Sequence, residues 1–288
     1  MQDTSWVDRS EYPFKDHYLD LSMGRMHYVD EGQGRPIVMV HGTPEWSFGY
    51  RHLIKGLSKS FRCIACDQIG FGLSDKPAGW SYLPEDHAKN LADLIEALNL
   101  EDLTMIVHDY GGPIGLAYAL EHPEAIHSLV IMNTWMWSLK EDAHFRGTQL
   151  FAGSLGRFLY ERLSFSARVI LPFAMGNRSR LTGPIHQQYL KPWQTPEERH
   201  GTWVFARELI GSSDWYDSLW QKRDCIQGKT ALILWGMRDF AFRPVELDKI
   251  KSMFNYETVQ TFDDIGHFVS EELGSRLPPI ISYFLEDV

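Results

Sequence analysis

The sequence predicts an α/β protein with a mostly parallel central sheet, helices flanking it, and a helical segment inserted between two of its strands. Three observations carry this. Short apolar runs alternate with helix-patterned segments as far as Thr134, the pattern by which right-handed crossovers build a parallel sheet. From about Trp137 to Trp220 the strand pattern stops and helix-like pieces separated by Pro and Gly take over. After that the alternation resumes. At 288 residues the chain suits one α/β domain carrying an insertion. The expected division is a core of residues 1–136 and 221–288 with a helical cap of residues 137–220.

In order along the chain, HYLDLS and MHYVDEG read as strands, the second ending in a Gly-rich turn. PIVMVHG is a continuous apolar run of the kind buried on both faces of a sheet. GYRHLIKGLS is a helix and FRCIACDQIGFG a strand. PEDHAKNLADLIEALNL has apolar residues at helical spacing behind an acidic first turn, which favours a helix start. LTMIVHD is the next strand, GLAYALEHP a helix stopped by Pro123, and SLVIMNT another strand. The insertion holds QLFAGSLGRFLYERL, TPEERHGTWVFARELI and WYDSLW as helices. KTALILWGMRD, a helix around PVELDKIKSMF, the strand-like ETVQTFDD, then IGHF and a final helix complete the core.

A formal net charge of −10 argues against nucleic acid or an anionic membrane as partner, since the summed field repels both. The N-terminal stretch lacks a signal-peptide pattern and no apolar run is long enough to span a membrane, so a soluble, cytoplasmic protein is expected. Cys63 and Cys66 sit in a strand-like run with no second pair to complete a zinc site, and read as small buried hydrophobes. No cofactor and no metal are implied.

Asp109, Asp239 and His267 each follow a strand. In a parallel sheet the carboxyl ends of strands share one edge, where ligands bind. Singly, each residue has an ordinary use as a helix cap, a turn residue or a core histidine. Together, in that order, they are the parts of a nucleophile, acid and histidine triad. Its nucleophile is a carboxylate, for VHDYGG places Asp109 where the elbow pattern G-x-S-x-G has serine.

These residues, with GRMHYVDEG, HGTPEWSFGYR, DQIGFGLSDKP, WGMRD and GHFVSEE, make the chain resemble the α/β-hydrolases of the haloalkane dehalogenase family, whose relatives include epoxide hydrolases. The resemblance implies that Asp109 is the nucleophile, His267 the general base and Asp239 the acid, since Asn133 occupies the earlier acid position. It implies an oxyanion hole from the backbone N–H groups of Thr43 and Tyr110. Family members that remove halide carry Trp after the nucleophile and often Asn or Glu after the HG pair, where this chain has Tyr110 and Thr43. Tyr110, with its hydroxyl turned inward, and the indoles of Trp46, Trp135 and Trp137 are the expected leaving-group pocket, with Trp193 and Trp203 as further indoles.

The implied reaction is hydrolytic dehalogenation of a small apolar haloalkane. A carboxylate can displace halide from an sp³ carbon and leave an ester that water then cleaves, whereas serine would leave a stable ether. Alternatives are opening of an epoxide, with Tyr160, Tyr189 or Tyr216 holding the oxygen, attack on a strained β-lactone, and a ligand-binding protein that has lost turnover.

Overall fold

The computed structural model describes residues 4–287. Eight strands form one sheet: β1 (His17–Leu21), β2 (Gly24–Glu31), β3 (Pro36–Val40), β4 (Arg62–Cys66), β5 (Leu103–Asp109), β6 (Ile126–Thr134), β7 (Thr230–Gly236) and β8 (Tyr256–Phe262). Their order across the sheet is β1-β2-β4-β3-β5-β6-β7-β8. β1 and β2 run antiparallel at one edge, and every pairing from β4 to β8 is parallel. The register puts Val40 beside Val107 and Val107 beside Ile131, so the carboxyl ends of the central strands finish together. β5 is buried at every position, as expected of a central strand covered on both faces.

Around the sheet lie α1 (Arg51–Leu57), α2 (Pro84–Ala97) and α3 (Gly111–Glu121), which precede the insertion. Between β6 and β7 the described residues form α4 (Ser154–Leu163), α5 (Leu171–Ala174), α6 (Gly183–Leu190), α7 (His200–Gly211) and α8 (Ser213–Gln221), with short 3₁₀ turns and no strand. α9 (Pro244–Lys251), α10 (Val269–Leu273) and α11 (Leu277–Glu286) complete the chain. One apolar cluster fills each side of the sheet: Val38, Met105 and Val107 belong to one, Ile37, Met39 and Ile106 to the other, which is the alternation of successive strand residues.

Three insertion helices differ from the sequence reading, α6 among them because it falls where only a turn was expected. QLFAGSLGRFLYERL is divided, with a 3₁₀ segment Ala143–Phe151 ahead of α4. α5 is absent from the sequence reading, and Pro172 falls inside it. A π-helical turn, Ser166–Ile170, precedes it and places Pro172 in a first turn, where its missing N–H costs nothing. Cys63 and Cys66 are buried, and burial pushes both thiols up to about 12, which suits inert packing. Among the described residues no helix is long and apolar enough to cross a membrane.

Candidate active site

Asp109 ends β5 on a sharp turn into α3. Its φ of 49° lies in the left-handed region, an uncommon and strained conformation for a residue with a side chain. The Thr134 hydroxyl donates to the Asp109 carbonyl at 2.5 Å, and Gly111 lets the turn press on β3, since a Cβ there would sit 1.9 Å from the Val40 carbonyl oxygen. The turn aims the carboxylate at the loop after β3. Gly42 makes room: a Cβ on it would come within 2.2 Å of Asp109 Oδ2.

The two carboxylate oxygens have different surroundings. Oδ2 accepts the Thr43 backbone N–H at 2.8 Å, and the Tyr110 backbone N–H also donates to the carboxylate. Oδ1 lies 3.9 Å from His267 Nε2. Burial pushes the Asp109 carboxyl above its ordinary value, against the pull of the His267 and His108 rings and the two amides.

His267 Nδ1 lies 2.7 Å from Asp239 Oδ2. The Asp239 carboxylate also accepts from Asn133 Nδ2 at 2.9 Å and from the Ala241 N–H at 2.7 Å. Asn133, the residue at the alternative acid position, is thus a clamp on Asp239, and its own oxygen accepts the Gly236 N–H at 2.8 Å. Burial alone would depress the His267 imidazolium, but Asp239, Asp109 and Glu45 outweigh it and raise its pKa to about 9.

Sequence reasoning missed three supporting residues. His108 Nδ1 lies 2.6 Å from Glu45 Oε2, and its Nε2 donates to the His267 carbonyl at 2.8 Å. Burial pushes the Glu45 carboxyl up, but the His108 ring holds it below its ordinary value. This dyad ties the turn after β3 and the strand that carries Asp109 to the histidine loop. The available signal was a Glu two residues beyond Thr43 and a His directly before Asp109. Glu272, fully buried, accepts N–H groups from Gly266 at 2.9 Å, Gly176 at 3.1 Å and Asn177 at 2.6 Å, which joins the histidine loop to the insertion. The His267 N–H donates to the Ala174 carbonyl at 2.9 Å across the same junction.

Above the carboxylate is a cavity of about 230 Å³. Its wall is apolar, with Phe151, Ile170, Phe205 and Leu209 from the insertion and Phe242 and Phe268 from the core. Thr43, Tyr110, Tyr160 and His267 also border it.

The indole and phenol assignments need correction. Tyr110 borders the cavity, but its hydroxyl donates to the Phe205 carbonyl instead of pointing inward, and its ring stacks on Phe205 at 4.2 Å. Trp46 donates to the Gln188 carbonyl at 2.9 Å and does not reach the cavity. Trp135 packs behind the wall, 4.8 Å from Tyr110 and 5.1 Å from Phe242, with its N–H unpartnered among the described residues. Trp137 packs on Trp220 at 5.3 Å under Lys249. Trp193 and Trp203 donate to the Gly70 and Phe151 carbonyls. Trp46, Trp193 and Trp203 are held by backbone carbonyls, since a buried indole N–H favours a nearby acceptor, and Trp135 and Trp137 by packing.

A carboxylate elbow, an opposed histidine and an acid on the next-but-one strand of a parallel sheet define an α/β-hydrolase site built around Asp. The sequence model for the alpha/beta hydrolase fold matches residues 35–272, and the chain belongs to that family, in its haloalkane dehalogenase branch. Haloalkane dehalogenase 2 of Mycobacterium tuberculosis is 30% identical over 276 residues, covering 95% of this chain and 96% of the relative. A cis-3-alkyl-4-alkyloxetan-2-one decarboxylase of Shewanella oneidensis is 34% identical over 286 residues, covering 96% of this chain and 89% of the relative. Among solved structures, the haloalkane dehalogenase DatA of Agrobacterium tumefaciens superposes with a TM-score of 0.85 at 22% identity, covering 95% of this chain and 96% of that one. At that identity the likeness concerns the fold.

Proposed function

We propose that the protein hydrolyses the carbon–halogen bond of small apolar haloalkanes through an ester on Asp109. The observation that carries this is the division of labour on one carboxylate: Oδ2 is held by the Thr43 N–H while Oδ1 faces His267. Oδ1 forms a bond to the sp³ carbon and the carbon–halogen pair departs as halide. Water near His267 then loses a proton to Nε2 and attacks the ester carbonyl carbon. The resulting oxyanion on Oδ2 is met by the N–H groups of Thr43 and Tyr110, and collapse releases the alcohol as His267 returns the proton. Residues 137–220 serve as the cap, since their apolar side chains keep water from the nucleophile. Incubation with a short bromoalkane should release halide and alcohol; no halide from any chain length would refute this reading.

Departing halide needs a donor, and Thr43 is the assigned one. Its hydroxyl is buried without a hydrogen-bond partner among the described residues on a residue that borders the cavity, so a χ1 rotation lets it donate at no cost in existing bonds. Thr43→Val, which keeps the backbone N–H, should lower the halide-release kcat by about tenfold, the worth of one hydrogen bond to a charged group. Thr43→Asn should retain or raise it. Equal rates in all three proteins would remove Thr43 from this role.

His267 must lose its charge to act as a base, and the site provides for this. An alkylated Asp109 is neutral, so its share of the upward push on the imidazolium vanishes and the base becomes available after the ester forms. Asp109→Asn imitates that neutral state. The His267 ring, followed by NMR, should titrate near the value of about 9 in the native protein and clearly lower in the variant. Because the folded value exceeds the unfolded value of about 6.5, the associated stability is fully present below that pH and lost as pH rises through about 9. Identical titrations in the two proteins would contradict the timing.

A second reading, opening of a strained oxygen ring, is favoured by Tyr160. Tyr189 donates to Glu271 and Tyr216 to the Glu208 carbonyl, whereas Tyr160 borders the cavity and has no hydrogen bond to another described residue. Its hydroxyl can donate to a ring oxygen while Asp109 attacks the adjacent carbon. Diol from an epoxide without halide from a bromoalkane would select this reading.

A further inference from the structure

α4 is inverted relative to an ordinary surface helix. Tyr160 faces the cavity, while Leu155 and Phe158, spaced to share another face, are more than half exposed, and Leu163 at the end of the helix is half exposed. The pattern continues on either side, with Leu150 75% exposed before it, and Val169 and Phe173 exposed after it. Of the twelve large apolar side chains that the described residues leave exposed, six fall between Leu150 and Phe173, a concentration that scattered surface hydrophobics do not produce. The Phe173 ring lies 5.0 Å from that of Phe240, which is itself exposed and borders the cavity. The apolar face therefore reaches the cavity mouth.

The same stretch is basic. Between Ala143 and Lys191 there are six Arg and one Lys against the single acid Glu161, in a chain of net charge −10. All seven cations are exposed. Glu161 is taken up by Arg157 at 3.0 Å and His200 at 2.7 Å. Arg146, Arg168, Arg178 and Arg180 make no ion pair with another described residue. Exposed apolar side chains interspersed along the chain with arginines that lack an ion pair among the described residues are the pattern of interfacial binding to anionic lipid. A membrane senses charge within a Debye length of about 8 Å, so the local surplus counts for more than the sum over the chain.

We propose that this face docks on an anionic lipid bilayer and that the cavity takes apolar substrate from the acyl phase beside it. The second half rests on the haloalkane reading; the docking does not. The test is flotation with phosphatidylcholine vesicles, with and without phosphatidylglycerol. The native protein should float with the anionic vesicles and be released by salt. Arg168→Gln with Arg178→Gln, or Leu155→Gln with Phe158→Gln, should weaken binding by about tenfold or more, given about fivefold for each cation near such a surface. Hydrolysis of a short, water-soluble bromoalkane should be unchanged in both variants, which also shows that they fold. With a long-chain bromoalkane carried in anionic vesicles, both should be slower than the native protein. Native protein that stays unbound, or variants that bind equally well, would overturn the proposal. So would light scattering that finds a dimer broken by the same substitutions, since the face would then belong to a second copy. Flotation without turnover of any bromoalkane would refute the haloalkane reading and leave the docking standing.

Discussion

Asp109→Ala should form no covalent adduct and release no halide, a loss of about 10⁴-fold or more in turnover. The size follows from the geometry. Asp109 is the cavity's carboxylate, its Oδ2 is fixed by the Thr43 amide, and Oδ1 points toward His267 across 3.9 Å. Among the described residues nothing else bordering the cavity is a carboxylate, and a hydroxyl that attacked instead would end as an ether. The backbone of the elbow should survive, because the turn is held by Thr134 and the close approach of Gly111. Halide assays on the variant decide the matter. Continued turnover would mean that water activated at His267 attacks the substrate directly, and Asp109 would be reduced to a polar residue at a helix start.

His267→Ala should behave in the opposite way and stop only after one event. The first half-reaction needs an ionised carboxylate and no proton transfer, so one equivalent of halide should appear per protein. Water then lacks its base, and steady-state turnover should fall by about 10³-fold or more, within the range for loss of a general base. Mass spectrometry after incubation with a bromoalkane should find the alkyl group on the peptide containing Asp109. An epoxide would leave a hydroxyalkyl group at the same place. An inactive variant with no adduct would show that His267 is needed before the ester forms, which contradicts the order of steps.

The supporting residues divide by how local their signal is. Asp109 was legible because a strand, an acidic residue and paired glycines are neighbours in sequence. Asp239 and His267 were legible because they follow strands, and a parallel sheet brings such positions to one edge. Glu45 and His108 were overlooked although each adjoins a predicted residue: their partnership spans 63 residues, and no periodicity announces a contact between a loop and a strand. The leaving-group indoles failed for a related reason. Five tryptophans offered an N–H, and each fell under packing or a backbone acceptor that only the folded chain supplies.

What the sequence determined by itself is the sheet, the elbow and the chemistry. Strand and helix patterns arise from side chains within a few residues of one another, and the proposed attack of a carboxylate on carbon follows from the identity of one residue. Tertiary structure alone decided which polar groups face the cavity and what the insertion presents outward. Tyr110 and Tyr160 are both cavity tyrosines, yet one hydroxyl is spent on Phe205 and the other makes no hydrogen bond to a described residue. The apolar turns of α4 look like core in sequence but lie outside, because Tyr160 on the opposite face already fills the cavity wall. Periodicity says that a helix has two faces, and only the packing of its neighbours says which of them is buried.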